Sequence, residues 1–148
     1  SNKARRAVEL FDTIDSVDSA RLAKKLSAIG VGRGAPVEIL LQVNVDRDPN
    51  KSGFSPARTD ELLESVELNG LNVLGLMTIG VFTTDEQSKR ETFRALRNLR
   101  DLLNSKLSQS LQLKDLSMGM SSDYEIAVEE GATMVRIGTA LFGPRPKR

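Results

Sequence analysis

The sequence predicts a parallel α/β fold in which strands alternate with helices along a single chain. Three observations carry this reading. The runs 37–44 and 71–80 are nearly continuous in apolar residues, the pattern of strands buried on both faces of a parallel sheet. Segments with apolar residues at helical spacing separate the strand-like runs, giving the βαβα rhythm of such folds. The runs also close in small or polar residues, as suits folds whose ligands lie beyond the carboxyl ends of the strands.

The chain opens on a helix, with Ala4, Ala7, Val8 and Phe11 at helical spacing. Ser1-Asn2-Lys3-Ala4-Arg5-Arg6 holds no initiator methionine, secretory-signal core or linker, and the helical pattern from the first residue makes part of a longer protein the expectation, with trimming at a domain edge the alternative. A short strand at 13–17 follows between Asp12 and Asp18-Ser19, which lead into a helix with Ala20, Ala23, Leu26 and Ile29 inward. Gly30 stands as its left-handed C-terminal cap, and Gly32, Gly34 and Pro36 make a loop into the strand that ends at Asn44.

After a polar, turn-rich segment, Ser55-Pro56 places a capping hydroxyl before a proline at a first helical position, and Leu62, Leu63 and Val66 face inward. Asn69-Gly70 ends that helix. Beyond the strand 71–80, Thr84-Asp85-Glu86-Gln87 has capping-box spacing and opens the longest helix. Phe93, Leu96, Leu99, Leu103 and Leu107 form its apolar face; Lys89, Arg90, Arg94, Arg97, Arg100 and Lys106 form the other. Acidic Asp85, Glu86, Glu91 and Asp101 are interleaved and no stacking aromatics accompany the arginines, so this face reads as solvated rather than as a nucleic-acid surface. The last third reads as strand 116–120, a turn at Ser121-Ser122, helix 123–130 capped by Gly131, and strand 134–137 leading into Gly138-Thr139. Five strands in one domain over 1–148 result.

Composition narrows the chemistry. With 148 residues, 39% of them hydrophobic and 28% charged, the chain has the makeup of one globular domain with its own core. No apolar run approaches the roughly 18 residues that a membrane-crossing helix needs, and a net charge of +1 argues against broad nucleic-acid binding. The chain contains neither cysteine nor histidine. Thiolate zinc sites, cysteine nucleophiles, Ser-His-Asp triads and imidazole proton shuttles are thereby excluded within it. Chemistry must rest on carboxylates, lysine, arginine, hydroxyls, backbone amides or a cofactor.

The two final strand ends form the layout of a phosphate site. Ser121 and Ser122 offer hydroxyls, and Gly138-Thr139 offers backbone N–H groups at the start of a short helical turn. The bland alternative is that the serines cap a helix and the glycines merely turn the chain. Arg136, between Val135 and Ile137, points either outward or into the sheet's interior, where a ligand or a carboxylate must meet it.

Several segments resemble one family: Val135 to Gly143, Met118-Gly119-Met120-Ser121-Ser122-Asp123, Gly75-Leu76-Met77-Thr78-Ile79, and Gln42-Val43-Asn44 with Lys51-Ser52-Gly53-Phe54. In order and in combination they are similar to the pyridoxal 5′-phosphate homeostasis proteins. That resemblance implies the C-terminal five β/α units of a (β/α)8 barrel of the TIM type, akin to the N-terminal domain of alanine racemase, with the first three strands missing. It implies an intracellular, cytoplasmic protein that binds pyridoxal phosphate without established turnover, with no nucleic-acid or membrane partner. Ser121, Gly138 and Thr139 would hold the phosphate, and Arg136 would lie near the pyridine nitrogen. The lysine that forms the Schiff base in the family belongs to the missing strands; Lys3 and Lys51 do not stand in its motif. Asp15 occupies a position where many relatives carry histidine. A racemase-type enzyme and a barrel for another phosphorylated metabolite are the competing readings. An incomplete barrel is expected to expose sheet edges and apolar inner faces and to associate.

Overall fold

A computed structural model of the chain describes residues 3–80 and 82–144. Its elements are α1 (Ala4–Leu10), β1 (Thr13–Val17), α2 (Ala20–Arg33), β2 (Val37–Gln42), α3 (Thr59–Val66), β3 (Leu71–Met77) and α4 (Glu86–Asn104). A single 3-10 turn (Gln109–Leu111), β4 (Asp115–Met120), α5 (Tyr124–Glu129), β5 (Met134–Arg136) and α6 (Thr139–Phe142) complete it. All five strands pair in parallel, and their order across the sheet is their order along the chain. A hairpin cannot join parallel neighbours, so each connection crosses over through a helix. The result is a barrel wall five strands wide, with β1 and β5 each paired on one side only.

The strands are apolar on both faces because both are covered or enclosed. Ile39, Leu41, Leu76, Leu116 and Met118 pack against Leu26 of α2, Leu62 and Val66 of α3, and Phe93, Leu96 and Leu103 of α4. The alternating residues Leu40 and Gln42 lie on the opposite face of β2 and are buried as well. Phe11, which shares the helical spacing of Ala4, Ala7 and Val8, is the exposed C-cap of α1; Ala4 and Val8 are the buried pair.

Helix α2 starts as expected, with the Ser19 hydroxyl accepting from the Leu22 N–H. It then runs past Gly30 and ends at Gly34, the residue that actually turns left-handed, at φ +69°. Gly30 is small for another reason. A Cβ there would stand 1.9 Å from the carbonyl oxygen of Gly70, and a Cβ on Gly70 would stand 2.6 Å from Ser27 O and Val31 N. The Gly70 carbonyl also accepts from Val37 N at 3.0 Å, so α2 and the entries to β2 and β3 meet at this pair.

Two helix starts also differ from the sequence reading. Ser55-Pro56 begins a turn closed by Arg58 N–H donating to Ser55 O at 3.0 Å, and α3 starts at Thr59. Proline's fixed φ suits the second position of a turn as well as the first position of a helix, so the local pattern does not separate the two. At α4 the cap is Asp85 rather than Thr84: its carboxylate accepts from Ser88 N at 2.8 Å. Hydrogen bonds from Ser88 hold Asp85 below the usual carboxylate range.

The basic face of α4 is not simply solvated. Arg90, Arg94 and Arg97, spaced four and three apart on one stripe, converge on the Glu130 carboxylate at 3.2, 3.0 and 3.1 Å. Arg97 also donates to the Glu130 carbonyl at 2.7 Å, and Arg90 pairs with Glu129 at 2.6 Å. The Glu130 side chain is only 6% exposed. Its hydrogen bonds from Arg94, opposed by burial and helped by Arg90, hold its pKa below the ordinary value of 4.5. The cluster ties α4 to the corner between α5 and β5.

Three substitutions have expected outcomes. Gly30→Ala gains up to about 1 kcal/mol of helix propensity but should lower stability in urea unfolding by about 1–3 kcal/mol, because the colliding atoms are backbone. Gly32→Ala, where a Cβ meets nothing within 4 Å, should stabilise by roughly 0.5–1 kcal/mol. Because the folded pKa of Glu130 lies below the unfolded one, its contribution is full above the ordinary value and fades as pH falls through the folded value. Glu130→Gln should destabilise the chain at neutral pH by about 1–3 kcal/mol, less than for a fully buried pair because the arginines remain partly in water. The variant should also show a shallower loss of thermal stability on acidification.

Candidate functional site

The strand ends meet along one rim, and Arg136 binds three of them together. Thr78, directly after β3, is fully buried; its hydroxyl donates to Val43 O at 2.8 Å and its N–H donates to Ser117 O at 3.1 Å. Arg136, at the end of the edge strand β5, reaches back across β4. Its Nη1 donates to Ser117 O at 2.9 Å and to Ser117 Oγ at 3.0 Å, and its Nη2 donates to Thr78 O at 2.7 Å. Among the described residues its acceptors are thus two main-chain carbonyls and a hydroxyl rather than a carboxylate. Neutral acceptors satisfy the N–H groups without cancelling the charge. Burial lowers the Arg136 pKa, while the charges of Asp15 and Asp123 act in the other direction; arginine stays protonated throughout.

Beside this seat lies the turn after β4. The register of β4 against β5 shifts between Ser117 and Met120, and within that interval Gly119 takes φ +91°, with the position of its missing Cβ 2.5 Å from Ala127 Cβ. A side chain there would strike α5, so glycine lets the strand bend while α5 stays close. Asp123 then closes the turn: Met120 N–H donates to its Oδ1 at 2.6 Å, and its own N–H donates to Met120 O at 3.0 Å. Held this way, the Ser121 hydroxyl oxygen accepts from Gly138 N at 3.2 Å and from Ala140 N at 3.1 Å. Two backbone N–H groups therefore converge on one oxygen. The bond-making amides are those of Gly138 and Ala140, where the sequence pointed to Gly138 and Thr139. A Cβ at Gly138 would meet nothing within 4 Å, which leaves open approach to these donors.

The loop after β2 completes the rim. The Asn44 amide accepts from Asp48 N at 3.1 Å and donates to Asp48 O at 2.7 Å and Lys51 O at 3.0 Å, so it organises its own loop. Gln42 Nε2 donates to Ser52 O at 2.9 Å, and Phe54 returns to lie beside Val43. Lys51 Nζ donates to Gly80 O at 2.9 Å and stands 3.8 and 3.9 Å from Asp46 and Asp48. Thr92 of α4 donates its hydroxyl hydrogen to Asp46 Oδ1, which ties the loop to that helix.

The structure thus brings Ser121, Arg136 and Gly138 to adjacent strand ends, with Thr139 opening α6 next to them. Ser117 was missed as a candidate, although its place in the alternation of β4, opposite to buried Leu116 and Met118, marks a polar side chain on the enclosed face. Thr78 was named only within the segment Gly75 to Ile79. As a whole the rim is a donor set: two amides at one point, a hydroxyl there, and a guanidinium hydrogen-bonded only to neutral oxygens. Donors of this kind can hydrogen-bond an anion.

Comparison with known proteins gives the following. The sequence profile of the family described as alanine racemase, N-terminal domain, matches residues 1–146. The pyridoxal phosphate homeostasis protein of Aquifex aeolicus is 40% identical over 146 residues, covering 98% of this chain and 63% of the relative. Among solved structures, PipY of Synechococcus elongatus PCC7942 superposes at a TM-score of 0.88 without PLP, with 43% identity over 97% of this chain and 66% of PipY. The form of PipY with PLP bound superposes at 0.85 with 40% identity over 96% of this chain and 66% of that chain. An alanine racemase of Clostridium difficile 630 superposes at 0.79 with 17% identity, over 99% of this chain and 38% of that one, a likeness of fold alone. The chain therefore spans less than two thirds of the length of these relatives.

Proposed function

The chain belongs to the alanine racemase N-terminal-domain family, and from that premise we propose that it binds pyridoxal 5′-phosphate and takes part in the homeostasis of this cofactor. The observation that carries the reading is the convergence of the Gly138 and Ala140 N–H groups on one oxygen, that of Ser121. A phosphate oxygen offers these amides a charged acceptor in place of a neutral hydroxyl, and the Ser121 hydroxyl, released from them, becomes a donor. Thr139 opens α6 beside this point and belongs to the same cradle. The names of the relatives and the PLP-bound neighbour support the choice of ligand.

Arg136 is assigned to the ring side of the ligand. A guanidinium near the pyridine nitrogen disfavours protonation of that nitrogen, because two positive charges would then face each other. When bound, the cofactor supplies an aldehyde and an electron-accepting ring, and an unprotonated ring is the weaker electron acceptor. Storage and delivery suit this arrangement better than carbanion chemistry does. In this reading the chain is one cofactor-binding unit over 1–148, held to its ligand by hydrogen bonds and charge, with none of its lysines in the covalent role. It works in the cytoplasm on a small molecule, without a membrane or nucleic-acid partner. No helix among the described residues is long and apolar enough to cross a membrane.

Binding is measured by equilibrium dialysis against pyridoxal phosphate and pyridoxal. The phosphorylated form should bind at least tenfold more tightly, since each charge-assisted hydrogen bond contributes about 1.5–3 kcal/mol. Ser121→Ala should remove about tenfold of that preference, whereas Arg136→Ala should weaken the ring's contribution and leave the preference for phosphate in place. Equal affinity for the two ligands, or a stoichiometric adduct trapped by borohydride on one lysine of this chain, would overturn the assignment.

A further inference from the structure

We infer that Ser117 is a positioning residue of this site: together with the carbonyl of Thr78 it forms the seat that fixes the plane of the Arg136 guanidinium. The inference rests on the cofactor reading above and adds to it a residue that never touches the ligand.

Ser117, inside β4, and Thr78, directly after β3, are fully buried polar residues among largely apolar neighbours. A buried hydroxyl is unfavourable unless it is bonded, and among the described residues the Ser117 hydroxyl has one partner, Arg136 Nη1. The sheet itself does not need that hydroxyl. Contact between β3 and β4 at this level runs through the Ser117 carbonyl, which accepts from Thr78 N. The hydroxyl therefore acts on Arg136 alone.

A guanidinium is a flat, rigid fork, so contacts at two of its ends fix its plane. Nη1 is held twice by one residue and Nη2 once by another, while Nε makes no hydrogen bond among the described residues. The acceptors are themselves fixed. Thr78 is tied to β2 through Val43 O and to β4 through Ser117 O, so the seat spans three neighbouring strand ends and moves only if the sheet moves. The direction of the positive charge is thus set by the sheet rather than by the loops around it. An arginine immobilised before binding loses less conformational freedom when a ligand arrives.

The test compares this chain with Ser117→Ala, which removes the acceptor, and Ser117→Thr, which keeps it. Three quantities are read: affinity for pyridoxal phosphate, competition by inorganic phosphate, and rotation of the Arg136 guanidinium by nitrogen-15 NMR in the ligand-free chain. Ser117→Ala should weaken pyridoxal phosphate about tenfold, the scale of one hydrogen bond to a charged group. It should also speed guanidinium rotation and leave inorganic phosphate competition unchanged, and Ser117→Thr should restore both altered readouts. Unchanged rotation in Ser117→Ala overturns the seat even if the cofactor binds. Equal losses for pyridoxal phosphate and inorganic phosphate overturn it too, by showing a general structural effect. Failure of the unaltered chain to prefer pyridoxal phosphate over pyridoxal overturns the cofactor reading itself, and is distinguished by the rotation measurement, which needs no ligand.

Discussion

Parallel pairing in chain order is the constraint on which everything else depends. Each strand starts at one end of the sheet and finishes at the other, so the segments that follow β2, β3, β4 and β5 all emerge side by side. Residues far apart in the chain then become neighbours without any long loop having to find its way there. Arg136 and Thr78, separated by 58 positions, share a hydrogen bond for this reason, and Lys51 reaches Gly80 for the same one. The helices that carry the chain back cover the outer face, which explains the unbroken apolar runs and leaves polar side chains such as Ser117 confined to the enclosed side.

Two arginine arrangements in the molecule show how partners decide what a charge can do. Arg90, Arg94 and Arg97 meet the Glu130 carboxylate, with Glu129 beside Arg90, so their charge is partly cancelled and their effect is mechanical, fastening α4 to the corner before β5. Arg136 hydrogen-bonds only to neutral oxygens, and the charges of Asp15 and Asp123 act on it without an ion pair among the described residues. Sequence charge counts treat all four alike. Geometry divides them into a fastening group and a charge left available at the rim.

Strand positions and the identity of the rim were legible from the amino acids because burial on both faces leaves a period-free apolar run and because strand ends stand out as small or polar residues. Ser121, Arg136 and Gly138 lie together as anticipated. What was not legible depended on partners distant in sequence. The basic face of α4 looks solvated until Glu130 is seen opposite it, and Arg136 looks unpaired until two carbonyl oxygens, which no sequence pattern displays, are placed beneath it. Helix starts at Thr59 and Glu86 were displaced by a few residues, since serine, threonine, aspartate and proline serve turns and caps alike.

The meeting of Gly30 and Gly70 has a consequence for how this protein can vary. When a side chain in a core grows, a neighbour that shrinks can restore the fit, and such paired changes let sequences drift. Here a new methyl group would strike the Val31 side chain and, apart from it, the main-chain atoms Gly70 O on one side and Ser27 O and Val31 N on the other. No exchange of side chains can move these main-chain atoms out of the way. A lineage that lost either glycine would have no second-site route back except a shift of helix α2 itself, which makes the pair a fixed point around which the surrounding residues are free to change.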